Sequence, residues 1–260
     1  MHRCARAGVN DLAGEKADGI VIRQADFSES SRVVTFFTRE YGRVSVLAKG
    51  AKRLKGPFDA ALDLLSTCGI VFLKKSSGAL GILTQAHLLT RFTPIAGELN
   101  SLYGGYYVAD LLYQLTEDFD ADERLFELAQ QTLAELATPE ADPLTAIVQF
   151  EVGILVCAGL FPDLSSCAVC GNAVETEAKF AHWVSQGGLL CGSCRREEYS
   201  GRSVTGGVIA VLRKLSNPGS GLAARVRLTK DQTRECHQLA VSAITHVLGR
   251  QPGTLRYLNF

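Results

Sequence analysis

Cys167-Ala-Val-Cys170, then twenty residues, then Cys191-Gly-Ser-Cys194: the reading of this chain turns on that stretch. Each pair is C-x2-C, a spacing that lets one tight turn aim two thiolates at one point. Two such turns brought together make a tetrahedral sulfur cage, the geometry zinc favours. Gly171 and Gly192 fall within the turns, where a positive φ is often needed to point backbone amides at sulfur. Gly187-Gly188 break the hairpin ahead of the second pair. Iron–sulfur clusters usually take their cysteines at other spacings. A redox C-x-x-C pair needs a thioredoxin-like strand–helix context, which the flanking sequence does not offer. Four thiolates also leave no open coordination position for a reacting water. No His-x-Glu precedes the cysteines, as a zinc deaminase would require, and there is no H-E-x-x-H. The expected cofactor is therefore a structural Zn2+ on Cys167, Cys170, Cys191 and Cys194. It contributes on the order of ten kcal/mol to a ribbon too small to fold alone.

Upstream of the ribbon the pattern is helical. After Pro94, Leu99, Leu102, Tyr106, Ala109 and Tyr113 recur at helical spacing, with Tyr103 and Tyr107 widening that face. Leu125, Leu128, Ala129, Leu133 and Leu136 mark an amphipathic helix that starts after Asp120 or Asp122 and stops before Pro139. Asp142-Pro143 opens a third, with an N-cap carboxylate and proline at the first helical position. That helix, Leu144 to about Leu160, is apolar almost all round. Only Thr145, Gln149 and Glu151 interrupt it, so it is expected at the centre of a bundle. Downstream, Val208 to Leu215 reads as a helix closed by Asn217-Pro218-Gly219. Thr229 with Gln232 fits a capping box for a last helix carrying Cys236, Leu239, Ala240, Ala243 and Val247 on one face. The ribbon, at about residues 164–200, is thus an insertion between helices of a domain spanning 93–260.

The front of the chain has period 2 instead. Strands are read from Ile20, over Arg32–Thr38 and Gly42–Ala48 joined by Glu40-Tyr41-Gly42, then Cys68–Lys74 and Leu80–Leu88 joined at Ser76-Ser77-Gly78. A short helix is expected over Phe58–Leu65. Five strands with a helical piece between the third and fourth match the oligonucleotide-binding (OB) barrel over residues 19–92, although five strands also fit an SH3-like barrel. The fold class is α+β. Residues 1–18 are mixed and polar, without the apolar core of a secretory signal, and are read as a frayed tail.

The chain has 260 residues, 47% hydrophobic and 21% charged, the composition of an ordinary globular protein. It has no uninterrupted apolar run of 18, so no membrane helix is expected. Cys4, Cys68, Cys157 and Cys236 are scattered and read as small buried hydrophobes, which places the chain in a reducing compartment, the cytoplasm. The zero net charge hides an asymmetry. Ile20–Phe92 carries eleven Lys or Arg against five acids, a balance of +6, whereas Thr93 onward carries thirteen against nineteen, a balance of −6. A basic barrel beside an acidic helical half suggests a polyanion partner for the barrel. The loop Lys49, Lys52, Arg53, Lys55, fenced by Gly50 and Gly56, is the first candidate for phosphate contacts. Arg32, Arg39 and Arg43 on the hairpin, with Lys74 and Lys75 near the next turn, come second. Tyr41 is the aromatic best placed to stack on a base, whereas Phe36, Phe37 and Phe72 read as core. The bland counterpart is a solvated loop whose charges serve solubility. His87, His182, His237 and His246 are isolated and read as structural or exposed.

Several stretches together resemble the RecO family of bacterial recombination mediators and DNA repair proteins. They are Gly19-Ile-Val-Ile-Arg23, Val33-Val-Thr-Phe-Phe37, Gly42-Arg-Val-Ser-Val-Leu-Ala-Lys-Gly-Ala-Lys-Arg53, Phe150-Glu151 through Ala158-Gly-Leu-Phe-Pro162 into Cys167-Ala-Val-Cys-Gly171, and Gly187-Gly-Leu-Leu-Cys-Gly-Ser-Cys194. The resemblance covers Asp18 to the C-terminus. It implies an OB barrel on a helical domain with an inserted zinc ribbon. It also implies binding of single- and double-stranded DNA, annealing of complementary strands, and work with RecR to place RecA on DNA coated by single-strand-binding protein, at the nucleoid. Some members lack the ribbon cysteines, which favours a structural role for the metal. Two other readings compete. An RNA-binding or ribosome-associated module also combines barrels with zinc ribbons. A metal-dependent nuclease could use Glu117-Asp118, Asp120, Asp122 and Glu123, which otherwise read as a solvated connection and first-turn charges at a helix start. With no G-x-x-x-x-G-K-[ST] loop and no G-x-S-x-G elbow, an enzyme is not expected.

Overall fold

The computed structural model describes residues 14–53, 56, 58, 61–74, 80–174, 180–183, 188–196, 203–217 and 227–260. Strands β1 (Glu15–Asp26), β2 (Arg32–Thr38), β3 (Gly42–Ala48), β4 (Thr67–Leu73) and β5 (Gly81–Thr90) close into a barrel in the order β1-β2-β3-β5-β4. All pairings are antiparallel except β3 with β5, which is parallel at Val46↔Gly81 and Leu47↔Ile82. That closure needs a crossing connection and makes a Greek-key barrel of the oligonucleotide-binding kind rather than a simple meander. Alternation puts Val34, Phe36, Val44, Val46, Ile70 and Phe72 inside. Phe58, Ala61 and Leu62 join the same apolar cluster.

Four expectations about elements need correction here. Glu15–Asp18 are not frayed: they pair with Gly69–Phe72 as the start of β1. The segment before β4 holds no helix among the described residues. It is a run of turns, with Ala61 N–H donating to Phe58 and Ser66 N–H to Asp63, and Leu65 at φ 67. The bundle's central helix ends at Cys157 rather than about Leu160, because Gly159 turns left-handed at φ 68. Val247 lies on the exposed side of the last helix.

The helical body comprises α1 (Leu99–Leu115), α2 (Glu123–Leu136), α3 (Pro143–Cys157), α4 (Gly206–Leu215) and α5 (Lys230–Leu248), followed by a 3-10 turn at Gly253–Tyr257. Asp142 caps α3 with Pro143 at its start, and Thr229 with Gln232 forms the capping box of α5. Of the face expected for α1, Tyr107 and Ala109 are buried, and the rest of the burial falls elsewhere. Leu99 and Tyr106 are exposed, while Gly104, Gly105, Tyr107, Val108, Leu111 and Leu112 are buried. A side chain at Gly104 would meet Ile147 and Leu136, and one at Gly105 would meet Leu65 and Phe92, so two glycines set the close approach of α1 to its neighbours. Ile20, Ile22, Phe37 and Leu65 from the barrel join residues of α1, α2, α3 and α5 in one apolar core.

The ribbon strands β6 (Asp163–Cys167), β7 (Phe180–Trp183), β8 (Gly188–Leu190) and β9 (Ser203–Val204) form a sheet in the order β6-β8-β7-β9. Leu164, Phe180, Leu189 and Val204 pack with Val148 and Val152 of α3 and with α4 and α5. Arg213 of α4 donates to the carbonyls of Leu164 and Val174, fixing the ribbon to the body.

Candidate metal centre and nucleic-acid face

Parallel pairing of β6 with β8, Cys167 opposite Leu189, sets the two cysteine turns side by side. In the first turn Gly171 N–H donates to the Cys167 carbonyl at 2.9 Å, with Gly171 at φ 72 as expected. In the second, Cys194 and Arg195 N–H groups donate to the Cys191 carbonyl. Gly192 needs no positive φ, contrary to expectation, and has open space around it. The four sulfurs lie within 4.8 Å of one another, with Cys170 to Cys191 at 3.7 Å. A tetrahedral zinc with bonds of roughly 2.3 Å implies sulfur–sulfur edges of roughly 3.8 Å. The Cys170–Cys191 separation matches that edge and is far longer than a disulfide. Burial opposes ionisation of Cys167, yet N–H groups of Cys170, Cys191 and Val169 bring its thiol down to about 6. Hydrogen bonding to Cys170, then burial, pushes Cys194 up to about 12. Four sulfurs this close cannot all be anionic without a cation between them. Cys167, Cys170, Cys191 and Cys194 lie together and could bind a metal ion.

The basic loop leaves β3 at an exposed end of the barrel. Lys49 and Arg53 are exposed and have no side-chain partner among the described residues. Lys55 and Lys75 lie outside the described residues. Lys52 Nζ reaches the Asp26 carboxylate at 2.8 Å, and Arg32 Nε reaches the same carboxylate at 3.1 Å and Gln24 Oε1 through Nη1. Hydrogen bonds from Lys52, then from Arg32, hold the Asp26 carboxyl below its ordinary value. Lys52 N–H also donates to the Ser30 carbonyl, which ties this loop to the β1–β2 turn.

The remaining candidates are engaged elsewhere. Arg39 Nη1 lies 2.6 Å from Glu123 and 3.0 Å from Glu127 of α2, with its guanidinium over the Phe126 ring. Arg43 pairs with Asp118 at 2.6 Å, donates to the Tyr113 carbonyl and packs over the Tyr113 ring. Both guanidinium groups are spent on the seam between barrel and helices rather than offered to phosphate. The same partners answer the nuclease reading in part, since Asp118 and Glu123 are bound to arginine. Lys74 sits 3.9 Å from the Phe119 ring centroid. Tyr41 donates to Glu15 at 2.6 Å and stands edge-on to Phe72, so its ring is built into the barrel wall.

Glu151, Tyr107 and His237 form a polar cluster whose partners lie on three different helices. Glu151, noted only as an interruption of an apolar helix, is fully buried. It accepts from the Tyr107 hydroxyl at 2.9 Å and lies 2.9 Å from His237 Nδ1. The Phe260 ring stacks on His237 at 3.5 Å. Burial raises the Glu151 carboxyl, against the lowering effect of His237 and Tyr107. A carboxylate alone on an apolar face was the available signal.

A closed five-stranded barrel carrying Lys49, Lys52 and Arg53 is fused to a helical body with a four-cysteine ribbon. Residues 13–92 match the family described as "Recombination protein O N terminal", and residues 96–256 match "Recombination protein O C terminal". The chain belongs to the RecO family of DNA repair proteins. It is 35% identical over 199 residues to DNA repair protein RecO of Rhodopirellula baltica, covering 76% of this chain and 73% of that one. It is 37% identical over 199 residues to the protein of that name from Halalkalibacterium halodurans, covering 76% of each. With that of Anaeromyxobacter dehalogenans it shares 32% identity over 245 residues, 94% of this chain and 95% of the relative.

Proposed function

We propose that this chain is a non-catalytic recombination mediator that binds single- and double-stranded DNA and anneals complementary strands. Acting with RecR, it helps place RecA on DNA coated by single-strand-binding protein. The observation that carries this reading is the pair Lys49 and Arg53, exposed and unpartnered among the described residues, beside Lys52 and Arg32 at the same end of an OB barrel. The proposal also takes Lys55, Lys74 and Lys75 as further candidates for phosphate contacts. Annealing needs no acid, base or nucleophile: cations screen two phosphate backbones and base pairing does the rest. The four cysteines hold a structural Zn2+, and metal analysis should return one zinc per chain. The acidic helical half meets RecR and single-strand-binding protein. No helix among the described residues is long and apolar enough to cross a membrane, and the proposed location is the cytoplasm, at the nucleoid.

The test is binding to single-stranded DNA followed across salt concentration. Neutralising about four to six phosphates gives a slope of log K against log salt of roughly −3 to −5. Lys49→Ala with Arg53→Ala should weaken binding evenly across sequences and make that slope shallower by about 1 to 2. It should also slow annealing of strands coated by single-strand-binding protein. Salt-independent binding would reject the reading. Stronger binding to RNA in a side-by-side titration would favour the ribosomal alternative, and magnesium-dependent cleavage of DNA would favour the nuclease.

A further inference from the structure

Phe27 is 62% exposed, more than any other large hydrophobic side chain among the described residues. It sits on the turn between β1 and β2, and its ring has no partner among the described residues. Leaving a phenyl ring in water forfeits its burial, so a turn that holds one there needs a reason. The turn itself is well determined. Phe27 and Ser28 N–H groups both donate to the Ser31 carbonyl, at 3.0 and 3.2 Å, and Lys52 N–H donates to the Ser30 carbonyl at 3.1 Å. Asp26, the preceding residue, gathers Arg32 and Lys52, and Lys52 Nζ also comes within 3.5 Å of the Ser28 carbonyl. A bare aromatic face is thus presented next to fixed positive charge. In OB barrels the β1–β2 loop is one of those that contact oligonucleotides. Single strands are gripped there by cations on phosphate and aromatic rings on bases.

We propose that Phe27 is the base-stacking residue of this barrel, taking an unpaired base of a single strand whose phosphates lie on Lys49, Lys52, Arg53 and Arg32. This rests on the DNA-binding reading above and gives it a preference for unpaired over paired strands, because a duplex keeps its base faces covered. Tyr41, whose ring is packed on Phe72 and whose hydroxyl is bonded to Glu15, does not fill that role.

The experiment compares wild type with Phe27→Ala, Phe27→Trp and the Lys49→Ala, Arg53→Ala double variant, on three probes: a single-stranded oligonucleotide, the same length of duplex, and an oligomer of abasic sugar-phosphate. Phe27→Ala should lose roughly 5- to 100-fold in affinity for the single strand. Its affinity for duplex and for the abasic oligomer should stay within about twofold, with an unchanged salt slope. Phe27→Trp should retain affinity, and the new indole emission should be quenched by the single strand but not by the abasic oligomer. If wild type binds, the double variant weakens binding and Phe27→Ala does not, stacking by Phe27 is overturned while the DNA-binding face stands. If wild type binds no single strand, or the double variant binds as wild type does, the face itself is overturned and this inference with it.

Discussion

Asp26 shows how one residue can restrain a binding surface. Its carboxylate is shared by Arg32 and Lys52, both proposed phosphate contacts. An exposed pair of this kind adds little to stability, since water already solvates each charge. A phosphate arriving at the loop must compete with it. Asp26→Asn should therefore leave the melting temperature within about 2 °C. It should tighten DNA binding by about two- to fivefold at low salt, an advantage that shrinks as salt screens it. Weaker binding would mean Asp26 aligns its two cations rather than masking them. Glu151 is the opposite case, a carboxyl with no water. Its ordinary value is 4.5 and burial raises it in the folded chain. Just above pH 4.5 the folded state keeps a proton that the unfolded chain releases, so stability contributed by Glu151 is complete below that pH and is lost as pH rises through the raised value. Glu151→Gln cannot titrate. The melting temperature of wild type minus that of Glu151→Gln should fall as pH rises from 4.5, and a rising difference would mean that His237 and Tyr107 outweigh burial. Neither residue's role was legible from sequence. Arg39 and Arg43 had the right charge in the right region, but their acidic partners lie 75 to 88 positions away, and no local pattern encodes such a pairing.

Elements were more legible than partners, and the reasons are local. β2 and β3 came out at their expected bounds because apolar residues and a turn glycine at position 42 delimit them. The two cysteine turns were legible because metal geometry fixes ligand spacing. The buried face of α1 was legible in part: Tyr107 and Ala109 are buried as expected, but Gly104 and Gly105 contribute through the absence of a side chain. Gly42 makes the same point at the barrel's seam. It takes φ 64, and a Cβ there would lie 1.9 Å from the Asp120 carbonyl oxygen, where residues 118–120 bridge to the start of β3. Gly42→Ala combines left-handed strain with a backbone clash and should cost about 2 kcal/mol or more, lowering the melting temperature by about 4–8 °C. Gly97→Ala is the matched control: φ is 81 but nothing lies within 4 Å. It isolates the strain, about 1 kcal/mol. Equal losses in the two variants would show that the approach of Asp120 to β3 contributes nothing.

At the scale of the whole molecule, the barrel and the helices share one apolar core, whereas the ribbon is expected to depend on the proposed zinc. Ile20, Ile22 and Phe37 are barrel residues, yet their side chains belong to the core of α1, α2, α3 and α5. Arg39 and Arg43 then stitch the surface of the same seam. The ribbon packs on α3, α4 and α5 through Leu164, Phe180, Leu189 and Val204, and around the thiols its described core comprises Cys167, Ala181 and Leu190. With the proposed zinc bound, sulfur–metal bonds supply much of the free energy that orders the ribbon around the thiols. Removing the metal with a strong chelator, or replacing Cys170 and Cys194 by Ser, should therefore release the ribbon while the barrel stays closed. Hydrogen exchange reads this directly. Amides of β6 and β8 should lose protection, those of α3 and α4 that face the ribbon should lose part of theirs, and those of β1–β3 should keep theirs. Salt-dependent binding to single-stranded DNA should survive, since Lys49, Lys52 and Arg53 are on the barrel. If barrel amides exchange as fast as ribbon amides after chelation, the metal is holding the entire molecule, and the division into a self-sufficient barrel–helix core and a metal-dependent ribbon is wrong.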